Sequence, residues 1–163
     1  MMITLSCTLL GRYAAHRAVQ RCQTVESILV MLAAVRSRLE FICMPVYDLL
    51  DALCADGRLK TLGFIEECRK KCSGGEPFPA AWSCAVEGAA KQCRLTAADT
   101  ARLCEFGQSI GTTDLSGQLA VCELYSGFFT ERLGECRAAK AKYAGMLPPL
   151  GFLGGLAVSV LLI

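Results

Sequence analysis

The sequence has little of what most enzymes use. Its 163 residues include a single histidine, His16. Ser6 and Ser27 lie near it in sequence, but no carboxylate is placed to orient the imidazole, so no catalytic triad can be named. There is no G-x-S-x-G, and Gly107, Gly111 and Gly117 are too widely spaced for a phosphate loop. Charge of one sign is also missing. Against 17 Lys and Arg stand 15 Asp and Glu, which leaves +2 and no basic excess for a nucleic-acid binder. No run alternates in the manner of a strand, and there is no repeat or low-complexity segment. Glu66 and Glu67 precede Arg69, Lys70 and Lys71 as a solvated helix end with local pairs. No catalytic residue, cofactor-binding residue or metal ligand is assigned, and no enzyme activity is expected.

What is abundant is apolar. Hydrophobic residues make up 53%, and mean hydropathy is +0.41. That excludes a disordered chain, and the length suits one domain. Part of the excess lies at the C-terminus, where nothing after Lys142 is charged. Residues 147–163 are expected to cross a membrane, since a spanning helix needs about 20 mostly apolar residues. The anchor would comprise Leu150, Phe152, Leu153, Leu156, Val158, Val160, Leu161, Leu162 and Ile163. A buried core helix is the alternative, but the tail has no polar face. Pro148 and Pro149 suit a first turn. Arg132, Arg137, Lys140 and Lys142 precede it, so the positive-inside rule keeps residues 12–146 cytoplasmic. Residues 1–11 are apolar but too short to span, and lack the basic start of a signal peptide. They read as an interfacial segment or the remnant of a longer anchor.

The middle is patterned for helices. Val25, Ile28, Leu32, Val35, Leu39 and Ile42 fall at steps of three and four. Pro45 closes this helix and opens the next, through Val46, Leu49, Leu50 and Leu53. Asp56-Gly57 marks a turn, and Leu59, Leu62, Ile65 and Cys68 a third helix. Residues 73–79 form the strongest loop, before a helix from about Ala80 that carries Trp82. Thr96-x-x-Asp99 has the spacing of a capping box, and Gly111 would end that fifth helix in a left-handed conformation. Thr113 or Asp114 then caps the last helix. There Leu115, Leu119, Cys122, Ser126, Phe129, Leu133, Cys136 and Lys140 keep heptad spacing, the signature of a seam against a partner helix.

The expected fold is therefore all-α. Two long helices, about 12–44 and 114–146, form an antiparallel bundle, and four short helices between them form a second lobe. A C-terminal transmembrane helix follows.

Eleven cysteines raise the question of metal or redox chemistry. None forms a C-x-x-C pair; the closest, Cys68 and Cys72, stand one helical turn apart. Cys54, Cys68, Cys104, Cys122 and Cys136 fall on apolar faces, where Cys acts as a small hydrophobe. A thiol-based metal or redox-sensing module stands as the alternative to a scaffold.

Two stretches together carry a family resemblance. Phe106-Gly107-x-x-Ile110-Gly111-x-x-Asp114-x-x-x-Gln118 leads into the last helix, which closes on Lys142-Tyr143 before the tail from Leu150-Gly151. Upstream, Arg38-Leu39-Glu40-Phe41-Ile42-x-x-Pro45 and Trp82 add to it. The chain resembles the stage III sporulation protein AB family of endospore-forming bacteria. The resemblance covers nearly the whole chain and is specific over the last sixty or so residues. It marks Pro45, Trp82, Gly107, Gly111, Asp114, Gln118, Tyr143 and Gly151 as motif residues. The tail departs from the pattern in opening on Pro148-Pro149, where polar residues are usual.

The resemblance implies a platform in the mother-cell membrane, its domain facing the cytoplasm, within a channel-like complex that supports the forespore. The implied partners are a sporulation secretion-type ATPase, similar to stage III sporulation protein AA, and other membrane proteins of that complex. No cofactor and no nucleic acid are implied. Exposed charges at Glu66–Lys71 and Arg94 are the candidates for meeting the ATPase. An unrelated tail-anchored adaptor is the remaining alternative.

Overall fold

The computed structural model describes the chain path over residues 2–42 and 45–161, and side chains at residues 16–17, 19–41 and 45–141. Six α-helices follow in order: α1 (Met2–Ile42), α2 (Val46–Ala55), α3 (Gly63–Ser73), α4 (Phe78–Ala89), α5 (Ala97–Ser109) and α6 (Leu115–Leu161). A 3-10 turn, Gly57–Leu59, links α2 to α3. Among the described residues there is no strand. The long helices are longer than expected at their outer ends. Arg12 is a charge and not a helix breaker, so nothing in the sequence stops α1 there.

The helix α1 packs on α6 antiparallel. Arg137 Nη2 donates to Glu26 Oε1 at 3.0 Å, and the Cys22 and Cys136 thiols hydrogen-bond at the same end. Farther along, Arg36 faces Cys122. The buried seam is Cys22, Val25, Ile28, Met31, Leu32, Val35 and Leu39 on α1, against Cys122, Tyr125, Phe129, Leu133 and Cys136 on α6. Each large apolar side chain buried in this way contributes roughly 1.5–3 kcal/mol. The heptad reading fails at its ends: Leu115 is 39% exposed and Lys140 is exposed. The antiparallel register puts Leu115 past Ile42, where α1 has ended. Tyr125, off the heptad line, is buried because α5 flanks α6 there, with the Phe106 and Tyr125 rings 5.6 Å apart.

The short helices do not stand apart as a second lobe. Their apolar faces join one core with α1 and α6. A chain of rings makes the connection. Phe64 of α3 meets Trp82 of α4 at 5.4 Å, Trp82 meets Phe106 of α5 at 6.1 Å, and Phe106 meets Tyr125 of α6. Helices of 10–13 residues are marginal alone, so they depend on this shared burial.

The ends of the short helices follow local chemistry. Pro45 and Pro77 precede α2 and α4, each with a fixed φ near −60° and no donor to lose. The helix α4 therefore starts at Phe78, two residues before the expected position, because Pro79 is tolerated in a first turn. Thr96 caps α5 in a full capping box with Asp99. Lys70 and Lys71 close α3, where cations complement the helix dipole.

Among the described residues no helix is long and apolar enough to cross a membrane. The expected span 147–163, with Leu150, Phe152, Leu153, Leu156, Val158, Val160, Leu161, Leu162 and Ile163, lies outside the described side chains, as do Tyr143, Gly151 and residues 1–11.

Candidate functional site

Trp82 and Gly107 are made for each other. The indole of Trp82 occupies the space that a side chain at position 107 would take: a Cβ there would collide with Trp82 Cδ1 and Cγ. Trp82 Nε1–H donates to the Leu103 carbonyl at 2.7 Å. So the ring is satisfied at its polar edge, one turn of α5 from Gly107, with the Phe64, Phe78 and Phe106 rings around it. Both residues are buried. They lie 25 positions apart in the sequence, and only the fold brings them together.

The remaining described motif residues build two turns that touch. Gly111 adopts φ +82°, a conformation that L side chains rarely take, and ends α5 as expected. A Cβ on it would meet Val46 Cγ2 at 3.1 Å. The α5–α6 turn is thereby seated against the α1–α2 corner, where the Pro45 carbonyl accepts from Leu49 N–H at 2.9 Å. Asp114 caps α6: its Oδ1 accepts from Gly117 N–H at 3.1 Å and its Oδ2 from Ser116 Oγ at 2.6 Å. Those bonds hold its carboxyl below the usual carboxylate range. Gln118 Nε2 donates back to the Thr113 carbonyl at 2.9 Å. Pro45, Gly111, Asp114 and Gln118 thus share one end of the bundle, with Trp82 and Gly107 in the core behind them. A gap of about 10 Å³ remains there, between Val35, Val46, Trp82, Phe106 and Ile110. Ligand sites measure ~300 Å³ or more, so this is a packing defect and not a pocket for a substrate.

A third cluster was not legible as such. Asp99 reads in the sequence as a capping residue, and its Oδ2 does accept from Thr96 N–H at 3.0 Å. Its side chain is also fully buried. Arg21 Nη2 of α1 donates to the same oxygen at 3.2 Å, and Arg132 Nε of α6 stands 3.7 Å from Oδ1. One carboxylate therefore ties α5 to both long helices. Arg132 also donates to Glu135 Oε2 at 2.7 Å and stacks 5.0 Å above the Phe128 ring. No local pattern signals this cluster: 78 residues separate Arg21 from Asp99.

The family model for stage III sporulation protein AB matches residues 1–163, the whole chain. The chain belongs to that family. Comparison with curated proteins gave no match, and comparison with solved structures gave none. Membership in the stage III sporulation protein AB family implies a role in sporulation, and the family is not known as one of enzymes. It sets aside the reading of an adaptor unrelated to sporulation.

In this member of the family most of the described cysteines behave as packing groups. Nine described thiols are free, and Cys22, Cys68, Cys93, Cys122 and Cys136 are buried. Cys68 and Cys72 do share a face and hydrogen-bond to each other. Burial pushes Cys68 far above the ordinary thiol range and raises Cys122 to about 11. It raises Cys54, Cys93, Cys104 and Cys136 as well. A thiol held protonated is a poor nucleophile and a poor ligand. Cys84 is exposed and hydrogen-bonds to Lys71. Among the described residues no three Cys, His, Asp or Glu form a ligand set.

The charged stretch Glu66–Lys71 is occupied locally. Lys70 pairs with Glu66 at 3.4 Å, Arg69 with Asp51 at 3.6 Å and Lys71 with Glu76 at 3.7 Å. Arg94 takes φ +57° in the turn after α4.

Proposed function

We propose that this chain is a membrane-anchored platform of the mother-cell-to-forespore channel complex, on which a secretion-type ATPase docks. Residues 147–163 hold it in the mother-cell membrane, and residues 12–146 stand in the cytoplasm. The family match over the whole chain carries this reading. The architecture supports it in kind. A helical hairpin with one continuous core transmits force without shear, because its interior is close-packed. The carboxylate of Asp99 adds a fixed link between α5 and the hairpin.

The membrane role draws on the sequence. The last charged residue is Lys142, and Arg132, Arg137 and Lys140 precede it. Such a basic flank orients a span with its neighbouring domain in the cytoplasm.

Reconstitution tests the proposal. Vesicles that carry the full chain should recruit the purified ATPase encoded beside it, and vesicles without the chain should not. Equal recruitment to both would overturn it.

A further inference from the structure

Two stretches of the chain hold no cation. From Leu39 to Gly57, and again from Leu103 to Glu131, there is no Lys or Arg. Glu40, Asp48, Asp51, Asp56, Glu105, Asp114 and Glu123 occur there instead, while Glu131 lies beside Arg132 at the far end. Those two stretches meet at the Gly111–Val46 contact. The opposite end of the hairpin carries Arg17, Arg21, Arg132, Arg137 and Lys140, with Glu26 pairing Arg137, Asp99 pairing Arg21 and Arg132, and Glu135 pairing Arg132. Local ion pairs consume several acids: Asp51 has Arg69, Asp56 has Arg58 and Glu105 has Arg102. Among the described residues no cation pairs with Asp48, Asp114 or Glu123. Nearby Arg38 is spent on the Ala34 and Ala52 carbonyls, and Arg36 lies 4.0 Å from Glu40.

The same tip exposes apolar side chains. Phe41 is 78% exposed and Tyr47 57%, and Leu115 is the third. All three lie within five residues of the Gly111–Val46 contact. Burying them would be favourable by the usual apolar measure, and aromatic residues are the common anchors of protein interfaces. An acidic rim around them repels nucleic acid and anionic lipid headgroups, and attracts cations. The gap behind them is too small for a ligand.

We propose that this tip, formed by the α1–α2 corner and the α5–α6 turn, docks a protein partner that presents basic side chains around an apolar contact. Phe41, Tyr47 and Leu115 supply the apolar ground, and Glu40, Asp48 and Asp114 the charge. The inference goes beyond the platform reading, because the charge pattern selects a basic surface whichever protein brings it.

Photocrosslinking in sporulating cells tests it. The full chain carries benzoylphenylalanine in place of Tyr47, or, as controls, of Glu67 on α3 or Ala138 on α6. The protein captured at position 47 is identified by mass spectrometry and purified, and its affinity for the full chain is measured at low and high salt. The expected result is a heterologous adduct at position 47 and not at the controls. Its affinity should fall with salt and drop about tenfold in Asp48→Lys, with Asp48→Asn intermediate. Circular dichroism checks that both variants are folded. No adduct at position 47, an adduct with a second copy of this chain, or binding indifferent to salt and to Asp48→Lys would each overturn the proposal. A captured partner that is not an ATPase, but behaves as above, would leave the tip assignment standing and remove the ATPase from it.

Discussion

At Gly107 one hydrogen atom separates a packed core from a collision. Alanine usually gains about 1 kcal/mol over glycine inside a helix. At position 107 the clash with the buried indole wins, and overpacking of this kind costs about 1–3 kcal/mol. Gly107→Ala is therefore expected to lose about 2 kcal/mol in denaturant unfolding of the full chain in detergent. Gly88→Ala, with open space around its Cβ, is the control and should be neutral or slightly stabilising. Asp99 is the second sensitive position. Asp99→Ala removes the α5 capping box and the bridge to two half-exposed arginines, so it should cost about 1–3 kcal/mol, read by the same unfolding.

Two carboxylates, the half-buried Asp56 and the exposed Asp114, set a pH dependence. Asp56, beside Arg58, is lowered from 3.8 to about 2, and the Asp114 cap is lowered as well. A depressed carboxylate contributes stability above its unfolded value and loses it as pH falls through the folded one. The melting temperature should thus be level above about pH 5 and decline toward pH 2. In the double variant Asp56→Asn/Asp114→Asn that decline should be shallower. These capping and turn roles were legible, since Asp, Thr and Gly act on neighbours two to five residues away. The Trp82–Gly107 fit and the Asp99 bridge were not, because they join residues from different elements.

At the scale of the element, the seam decides stability. Phe129 is fully buried against α1, while Leu124 on the same helix is 68% exposed. Phe129→Ala should cost about 3–5 kcal/mol and Leu124→Ala under about 0.5, both by chemical denaturation. Periodicity found the α1 face almost residue for residue, from Val25 to Leu39. It misread α6 at Leu115 and Tyr125, because a heptad pattern reports one partner helix and α6 has two. It also cannot tell how far a second element extends, which is why Leu115 was placed in a seam that α1 has already left. The short helices were visible from prolines, glycines and caps. That they merge into the core of the hairpin depends on Phe64, Trp82 and Phe106 meeting across three helices, which no local pattern encodes.

At the scale of the molecule, the chain is a helical hairpin with short helices fastened along it, and exposed aromatic side chains at the tip away from residues 147–163. Family membership gives it a place in sporulation. The platform reading ties the basic end to a membrane and leaves the acidic, aromatic tip for a partner. Anchoring by residues 147–163 is the step on which that orientation depends. Fractionation of sporulating cells, comparing the full chain with one that lacks residues 147–163, measures it directly. The account predicts the full chain in the membrane pellet after a high-salt wash, and the shortened chain, still helical, in the supernatant. Recovery of the intact full chain in the supernatant would contradict it.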